Sequence, residues 1–192
     1  MALVGCGAPG GFHTVTGAAA STAEPAPLYQ ADWSSGMNRW YGGAGWKTLG
    51  GVLLNDGTGD YADLIRPHFE PGSIPMADYA VEADVSVTRW TGLNFGIEVR
   101  ADEHGARYSA GIESGRAAVW DPADKIVEGK GFESSGDWHT YRVEIIGNVI
   151  TLLIDGEVFA QVRDNKYLEG GRVGLWSNGV QLETRSFKIF PL

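Results

Sequence analysis

The chain has 192 residues, a formal net charge of −9 and a single cysteine, a length that suits one domain with a substantial core. An acidic surface repels nucleic-acid phosphates and anionic membranes, so neither is an expected partner. One cysteine excludes an internal disulfide and any multi-cysteine metal site, and no run approaches the roughly 18 apolar residues of a membrane-spanning helix.

The N-terminal segment is rich in Gly, Ala, Ser, Thr and Pro and has no sustained periodicity. Such a segment buries too little apolar surface to offset its ordering entropy. Residues 1–28 are therefore predicted to be a flexible tether, and residues 29–192 a folded domain. Within the tether, Leu3 to Cys6 reads LVGC, which resembles the end of a bacterial lipoprotein signal.

In such a signal the cysteine carries the lipid, so Cys6 is the predicted lipidation site. Only two residues precede the motif, and the charged and apolar regions of a secretory signal are not among them. The expectation is an extracytoplasmic protein that meets the membrane only through this lipid anchor.

After the tether, the sequence alternates with the period of β-strands. In residues 79–87 the odd-numbered positions are apolar or aromatic, whereas Glu82 and Asp84 lie on the other face. Residues 95–100 repeat the pattern, with Glu98 and Arg100 on the polar face.

Two turn signals follow, Gly147-Asn148 and Asp155-Gly156. Both tolerate the positive φ of two-residue hairpins, so residues 141–162 are predicted to form a three-stranded antiparallel meander. Ten or more short strands without a crossover helix predict an antiparallel sandwich or barrel.

The C-terminal half resembles the concanavalin A-like lectin/glucanase jelly rolls, most closely laminin-G-like and 3-keto-disaccharide hydrolase-type domains of bacterial surface proteins. The residues that carry this resemblance are Trp138, Val143, Gly147, Asn148, Asp155, Gly156, Gly171, Gly174, Leu175 and Ser177. The resemblance implies an all-β jelly-roll sandwich of two curved antiparallel sheets. It also implies a ligand, commonly a sugar and sometimes a protein, on the concave face or its rim. Turn and core positions specify a fold better than a function.

Sugar sites combine aromatic rings, which stack on the pyranose, with charged groups that bond to its hydroxyls. The candidate ligand-binding residues are Glu82, Glu98, Arg100, Trp90, Tyr108 and Trp120. The predicted function is a surface-tethered carbohydrate-binding module. A protein-interaction or structural domain of laminin-G type is one alternative, and the sequence sets no oligomeric state.

A glycoside or 3-keto-disaccharide hydrolase is the other alternative, and the sequence does not decide whether the protein is an enzyme. The glucanase motif E-x-D-x-x-E is approached only at Glu82 and Asp84, because Val87 occupies the third acidic position. This departure argues against the glucanase mechanism.

A different pair of carboxylates remains possible. If residues 79–87 and 94–101 form a hairpin centred near Thr91, Asp84 faces Glu98, with Cβ atoms about 4.5–5.5 Å apart. That separation is compatible with the roughly 5–5.5 Å between carboxyl groups in retaining glycosidases. A register shifted by two residues instead pairs Asp84 with Arg100 in an ordinary ion pair.

A calcium site is possible in the acidic loop that contains Asp56, Asp60 and Asp63. Hard oxygen ligands on a Gly-rich loop suit Ca²⁺, although the spacing lacks the length and the glutamate of an EF-hand. A plain turn rich in Asp and Gly is the alternative. No other cofactor is expected.

Overall fold

A computed structural model describes residues 25–37, 40–58, 63–67, 74–104, 107–134 and 136–192. These residues form β-strands and no helix, as the sequence predicts, so they contain no helix that could cross a membrane. The strands are β1 Tyr29–Gln30, β2 Trp40–Gly42, β3 Trp46–Leu49, β4 Val52–Asn55, β5 Asp63–Pro67, β6 Tyr79–Ala101, β7 Tyr108–Glu113, β8 Arg116–Trp120, β9 Lys125–Gly131, β10 Trp138–Ile146, β11 Val149–Ile154, β12 Glu157–Arg163 and β13 Arg172–Pro191.

Two long strands, β6 and β13, organise the molecule. They pair antiparallel along nearly their whole lengths, and each half of this ribbon is extended by different strands. Sheet A has the order β12-β11-β10-β6-β13-β4-β3, with β1 also on β13. Sheet B has the order β9-β8-β7-β6-β13-β5-β2. One continuous antiparallel network therefore makes both layers.

The predicted meander over residues 141–162 is confirmed as β10, β11 and β12, which pair in sequence. Its turns lie at Gly147 and Gly156, both with positive φ. Local turn chemistry was enough to specify this unit because two-residue hairpins depend on the residues at the turn itself.

The hairpin predicted near Thr91 is wrong, because Thr91 lies inside the continuous strand β6. Gly92 there allows close approach to β13 and does not make a turn. A Cβ on Gly92 would lie 1.9 Å from the carbonyl oxygen of Asn178 and 2.5 Å from Cα of Gly179. Register shifts in β13 flank this contact, and such bulges bend a strand. The ribbon passes from one sheet to the other here.

The core lies between the two sheets and follows the period of two. In sheet A, Tyr79, Val81 and Ala83 are buried, and in sheet B Ile97 and Val99 are buried. Across the layers β12 contacts β8 and β9. Burying a large aliphatic side chain contributes about 1.5–3 kcal/mol, so the alternation holds the layers together.

The domain boundary at residue 28 stays a prediction, because residues 1–24 lie outside the described part of the chain. The described segment that leads into β1 is exposed, and the backbone N–H of Leu28 donates to the carbonyl of Ile189 at 2.7 Å.

Candidate functional site

A row of side chains crosses the outer face of sheet B. In the strand registers, Gly174 and Ser109 lie on either side of Glu98, and Trp120 lies beyond Ser109. Directly opposed residues share one face of a sheet. Because Gly174 and Ser109 are small, they leave a depression on both sides of the Glu98 carboxylate.

The next row across the sheet also consists of small residues and ends in a tryptophan. Gly96, Gly111 and Ala118 lie side by side, with Trp176 at the end of the row. The indole rings of Trp176 and Trp120 meet edge to face, with centroids 5.6 Å apart and planes at 88°. The result is a cleft of about 160 Å³, which we call the sheet B cleft. Its lining comprises Glu98, Arg107, Ser109, Trp120, Asp121, Pro122 and Trp176.

Glu98 is the electrostatic centre of the cleft, although only 1% of its side chain is exposed. Arg66 donates from Nε and Nη2 to Oε1, each at 2.7 Å, and Arg107 Nε lies 3.3 Å from Oε2. Burial raises the pKa of the Glu98 carboxyl, and the guanidinium groups of Arg66, Arg107 and Arg172 oppose that shift. Burying a carboxylate without such partners would cost free energy. The arginines therefore offset the cost of burying Glu98, and the ion pairs fix the position of their guanidinium groups.

A rigid turn closes one side of the cleft, directly after Trp120. Asp121 Oδ1 accepts from the backbone N–H groups of Ala123 at 2.8 Å and Asp124 at 2.9 Å. Lys166 Nζ lies 2.5 Å from Asp121 Oδ2. The hydrogen bond from Lys166 is the largest influence that lowers the pKa of Asp121. These contacts stabilise the charged form of the Asp121 carboxyl. The turn also fixes the position of Trp120, at the end of β8.

Trp176 carries a donor that the protein does not use. Its side chain is 8% exposed, and its indole Nε1 has no hydrogen-bond partner among the described residues. Buried polar groups normally find a partner. The Nε1 atom is itself buried, so it is an unsatisfied donor within the described part of the structure.

The structure separates the predicted carboxylate pair. Asp84 lies in the sheet A half of β6, opposite Ser186 and Thr140, whereas Glu98 lies in the sheet B half. The two acids stand far apart along one extended strand and do not face each other. The predicted opposition of the two acids is therefore wrong, and the hydrolase alternative loses the carboxylate pair on which it rested.

The polar outer face of sheet A is occupied by its own ion pairs. Glu82 Oε2 lies 3.1 Å from Arg142 Nη1. Asp84 accepts from Thr140 Oγ1 at 2.7 Å and lies 3.4 Å from Arg185 Nε. Glu82 is thus in the other sheet from Glu98 and does not contribute to the sheet B cleft.

Arg100, predicted to contact a ligand, is buried, with 3% of its surface exposed, and does not line the sheet B cleft. Its guanidinium group is a structural donor at one end of the sandwich. It donates to the backbone carbonyls of Tyr167, Ala77 and Gly147, each at 2.8 Å.

Tyr108, also predicted to contact a ligand, is fully buried and does not line the sheet B cleft. Its hydroxyl donates to Asp164 Oδ1 at 2.5 Å and accepts from the backbone N–H of Tyr167 at 3.0 Å. Burial, together with the Asp164 carboxylate, raises the pKa of Tyr108 to about 12. The hydroxyl group therefore holds the loop that contains Asp164 and Tyr167 in place.

The two tryptophans predicted to contact ligand lie in different cavities. Trp120 lines the sheet B cleft with Glu98, whereas Trp90 lines a cavity of about 600 Å³ that we call the rim cavity. The rim cavity is also lined by Ser114, Gly115, Gly131, Phe132, Glu133 and Ser134. Among its described lining residues only Glu133 is charged, whereas Glu98, Arg107 and Asp121 line the sheet B cleft.

The predicted calcium ligands are only partly described. Asp60 and the side chain of Asp63 lie outside the described residues, as does Cys6. Asp56 Oδ1 accepts from the backbone N–H of Thr58 at 3.0 Å and from its hydroxyl at 2.6 Å, which is an ordinary Asx turn. Within the described ranges, no three His, Cys, Asp or Glu side chains form a group that could hold a metal.

The residues around the cleft that were not predicted include Arg66, Arg107, Ser109, Asp121, Pro122 and Trp176. Trp176 carried a signal, since Val173 and Leu175 point inward and the alternation places Trp176 outward. Arg66 carried none, because its strand joins the sheet through contacts with β13, more than a hundred residues later in the chain.

Comparison with known proteins gives matches in structure only. No family model and no curated protein matches the sequence. Carbohydrate-binding module CBM66 from Bacillus subtilis matches with a TM-score of 0.67 and 17% identity, over 80% of this chain and 96% of that one. A Bacillus subtilis protein of unknown function with a galectin-like fold matches with a TM-score of 0.70 and 13% identity, over 88% and 97%.

The fold is a concanavalin A-like β-sandwich. The carbohydrate recognition domain of Emp46p, in its metal-free form, matches as well, with a TM-score of 0.63 and 12% identity, over 83% of this chain and 91% of that one. Identities this low show the shared architecture alone.

Proposed function

We propose that the protein is a carbohydrate-binding module whose ligand occupies the sheet B cleft. The observation that carries this proposal is the convergence of two indole rings, Trp120 and Trp176, with charged groups around one cleft. Aromatic faces stack on sugar rings, while charged groups and N–H donors bond to the hydroxyls. Neighbours described as a carbohydrate-binding module and a carbohydrate recognition domain share this fold.

The size of the cleft narrows the proposal. Its volume of about 160 Å³ is below the roughly 300–1,000 Å³ of pockets for drug-sized molecules. A cleft of this size suits one sugar residue, either a chain end or a single unit of a longer glycan that continues across the surface.

Binding is proposed rather than hydrolysis because the Glu98 carboxylate is buried and paired with arginines. Both of its oxygens are engaged by guanidinium groups, and its side chain is 1% exposed. A general acid or nucleophile must reach the glycosidic bond. Release of reducing ends from any glycan, if abolished by Glu98→Gln, would restore the hydrolase alternative.

A glycan array followed by titration calorimetry tests the proposal. Trp120→Ala should weaken binding to any glycan that the protein recognises by at least tenfold, because it removes a stacking surface of the cleft. Trp90→Ala is the matched control, since it removes an indole from the rim cavity, and should change affinity less than twofold.

The two contrary outcomes differ in meaning. Absence of binding across the array at millimolar glycan would refute the proposed function itself. Binding that is lost in Trp90→Ala and kept in Trp120→Ala would leave a glycan-binding protein but move its site to the rim cavity.

The proposed location is outside the cytoplasm, on a membrane surface to which Cys6 is lipid-anchored in the natural protein. Support comes from the lipoprotein-like motif ahead of a segment rich in small residues. Mass spectrometry of the membrane fraction from the native host should detect a lipid-modified Cys6 peptide. A native protein found only in soluble fractions with an unmodified thiol would end this proposal, and Cys6→Ser provides the control.

A further inference from the structure

One wall of the sheet B cleft is held by a distant part of the chain. Asp121 and Pro122 line the cleft on the turn that follows β8. Lys166 does not line the cleft, but its Nζ lies 2.5 Å from Asp121 Oδ2. This ion pair joins the wall to residues 164–167, which lie between β12 and β13 and which we call the anchor segment.

The two oxygens of the Asp121 carboxylate have different partners. Oδ1 accepts from the backbone N–H groups of Ala123 and Asp124, which belong to the same turn. Oδ2 faces Lys166, 45 residues later in the chain. The contacts of Oδ1 are enough to form the turn, whereas the contact of Oδ2 ties the turn to another part of the sandwich.

The anchor segment is itself fixed by contacts that do not use the Lys166 side chain. The backbone N–H of Asp164 donates to the carbonyl of Asn148 at 2.9 Å. The backbone N–H of Tyr167 donates to the hydroxyl of Tyr108 at 3.0 Å. The Lys166 ammonium group lies 5.4 Å from the centroid of the Tyr167 ring. The segment therefore presents the ammonium group to Asp121 from a fixed position.

From these contacts we infer that Lys166 is a positioning residue, which sets the width of the sheet B cleft and so selects the ligand by size. The inference rests on the proposed function and deepens it. A wall that is fixed before the ligand arrives lowers the entropy cost of binding and excludes ligands too large for the space. Because the side chain of Asp121 is only 10% exposed, solvent screens this ion pair less than a pair of two exposed groups.

The first test needs no ligand. Lys166→Met keeps the length of the side chain and removes its charge, so Asp121 loses its partner at Oδ2. Amide hydrogen exchange of Ala123 and Asp124, measured by NMR, should become roughly fivefold faster because the turn opens more often. The melting temperature should change by less than about 4 °C, because the lysine of this ion pair is exposed.

Lys130→Met is the matched control. Lys130 also pairs with one carboxylate at 2.5 Å, that of Glu157, and its replacement changes the net charge equally. Neither residue lines the cleft, so exchange in the cleft wall should stay within about twofold of the parent. Lys166→Arg keeps the charge and should also stay near the parent. Unchanged exchange in Lys166→Met, or an equal change in Lys130→Met, would overturn the inference.

The second test measures selection by size. Titration calorimetry compares the methyl glycosides of glucose, galactose and mannose with their 2-acetamido forms, beside the strongest-binding glycan of the array. Sugars that the parent binds should bind Lys166→Met about fivefold more weakly. The ratio of affinities should move about threefold toward the larger sugar of each pair. An equal loss for small and large sugars would overturn the size selection, because a general disturbance of the fold weakens both alike.

Failure of the inference is distinguishable from failure of the proposed function. If the parent and Lys166→Met bind sugars with the same affinity and the same size preference, the inference is overturned and the glycan-binding function stands. If the parent binds no sugar of the panel or of the array, the proposed function fails and the size selection fails with it. The exchange measurement then decides by itself whether Lys166 holds the wall.

Discussion

Glu98 and Arg100 stand two positions apart on β6 and have different roles. Regular alternation would place both on the outer face of sheet B. Arg100, however, has a φ of +50°, a conformation uncommon for residues other than glycine. With this break in the alternation, the Arg100 guanidinium bonds to backbone carbonyls at the end of the sandwich, whereas Glu98 stays in the cleft.

The structural role of Arg100 gives the first prediction. Arg100→Leu should lower the free energy of unfolding by roughly 3 kcal/mol, because three backbone carbonyls lose a charged donor that is itself buried. Urea denaturation measures the loss. Arg185→Leu, on an exposed ion pair, should cost less than about 1 kcal/mol. Equal effects of the two substitutions would contradict the structural role.

Tyr108 gives a prediction that depends on pH. Its pKa is 10.0 unperturbed and about 12 in the folded protein, so the folded state favours the neutral phenol. The stability that Tyr108 contributes is fully present below pH 10 and is lost as the pH rises through about 12. Tyr108→Phe should therefore lower the free energy of unfolding at pH 8 by about 1–2 kcal/mol.

Between pH 10 and 12 the same variant should lose stability less steeply than the parent, by up to about 1.4 kcal/mol per pH unit. Urea unfolding at several pH values measures both slopes. Burial also raises the pKa values of Tyr79 and Tyr141, but these residues are present in both proteins, so the difference isolates Tyr108. Parallel slopes would show that its hydroxyl does not titrate as described.

At the scale of the elements, the course of β6 decides what the site contains. The stretch TRWTG looks like a turn because glycine often permits one. Gly92 instead sits where two strands touch, with the Gly179 Cα only 2.5 Å from the position a Cβ would take. Continuity of β6 sends Asp84 to sheet A and Glu98 to sheet B.

Gly92→Ala should consequently destabilise the protein by about 1–3 kcal/mol, since β6 and β13 would have to separate to admit the methyl group. Gly131→Ala is the control, because the nearest atom to its Cβ would be 3.8 Å away. Thermal or urea unfolding of the two variants provides the measurement. A Gly92→Ala protein as stable as the Gly131→Ala protein would contradict the close crossing.

At the scale of the whole molecule, the two layers are not separable units. Strands β6 and β13 run through both sheets, and the core cluster draws its side chains from both. The free energy that holds one sheet therefore depends on the other sheet being present.

The expected consequence is a single cooperative unfolding transition, as is usual for domains of this size. Far-ultraviolet circular dichroism reports the strands, and tryptophan fluorescence reports packing in both layers, since Trp46 lies in sheet A and Trp176 in sheet B. The two signals should give coincident urea midpoints. Separated midpoints would mean that one layer unfolds alone.

The sequence alone determined the features that depend on neighbouring residues. Period-two alternation predicted the all-β sandwich, and the turns at Gly147 and Gly156 predicted the meander. Among the candidate ligand-binding residues, the strand pattern put Glu98 on a polar face and Trp120 at a strand end. The structure brings these two residues together in the sheet B cleft. Each of these conclusions needed only local chemistry and the pleat of a strand.

Tertiary structure decided which strands lie side by side, and with that the composition of the cleft. Arg66 reaches Glu98 because β5 pairs with β13, and Trp176 meets Trp120 across four strands. Arg100 lies outside the cleft because its positive φ breaks the alternation of β6. Tyr108 lies outside it because its ring is buried and its hydroxyl accepts from the backbone N–H of Tyr167. Pairing between residues far apart in sequence is chosen by the packing of the whole core, and no local pattern records it.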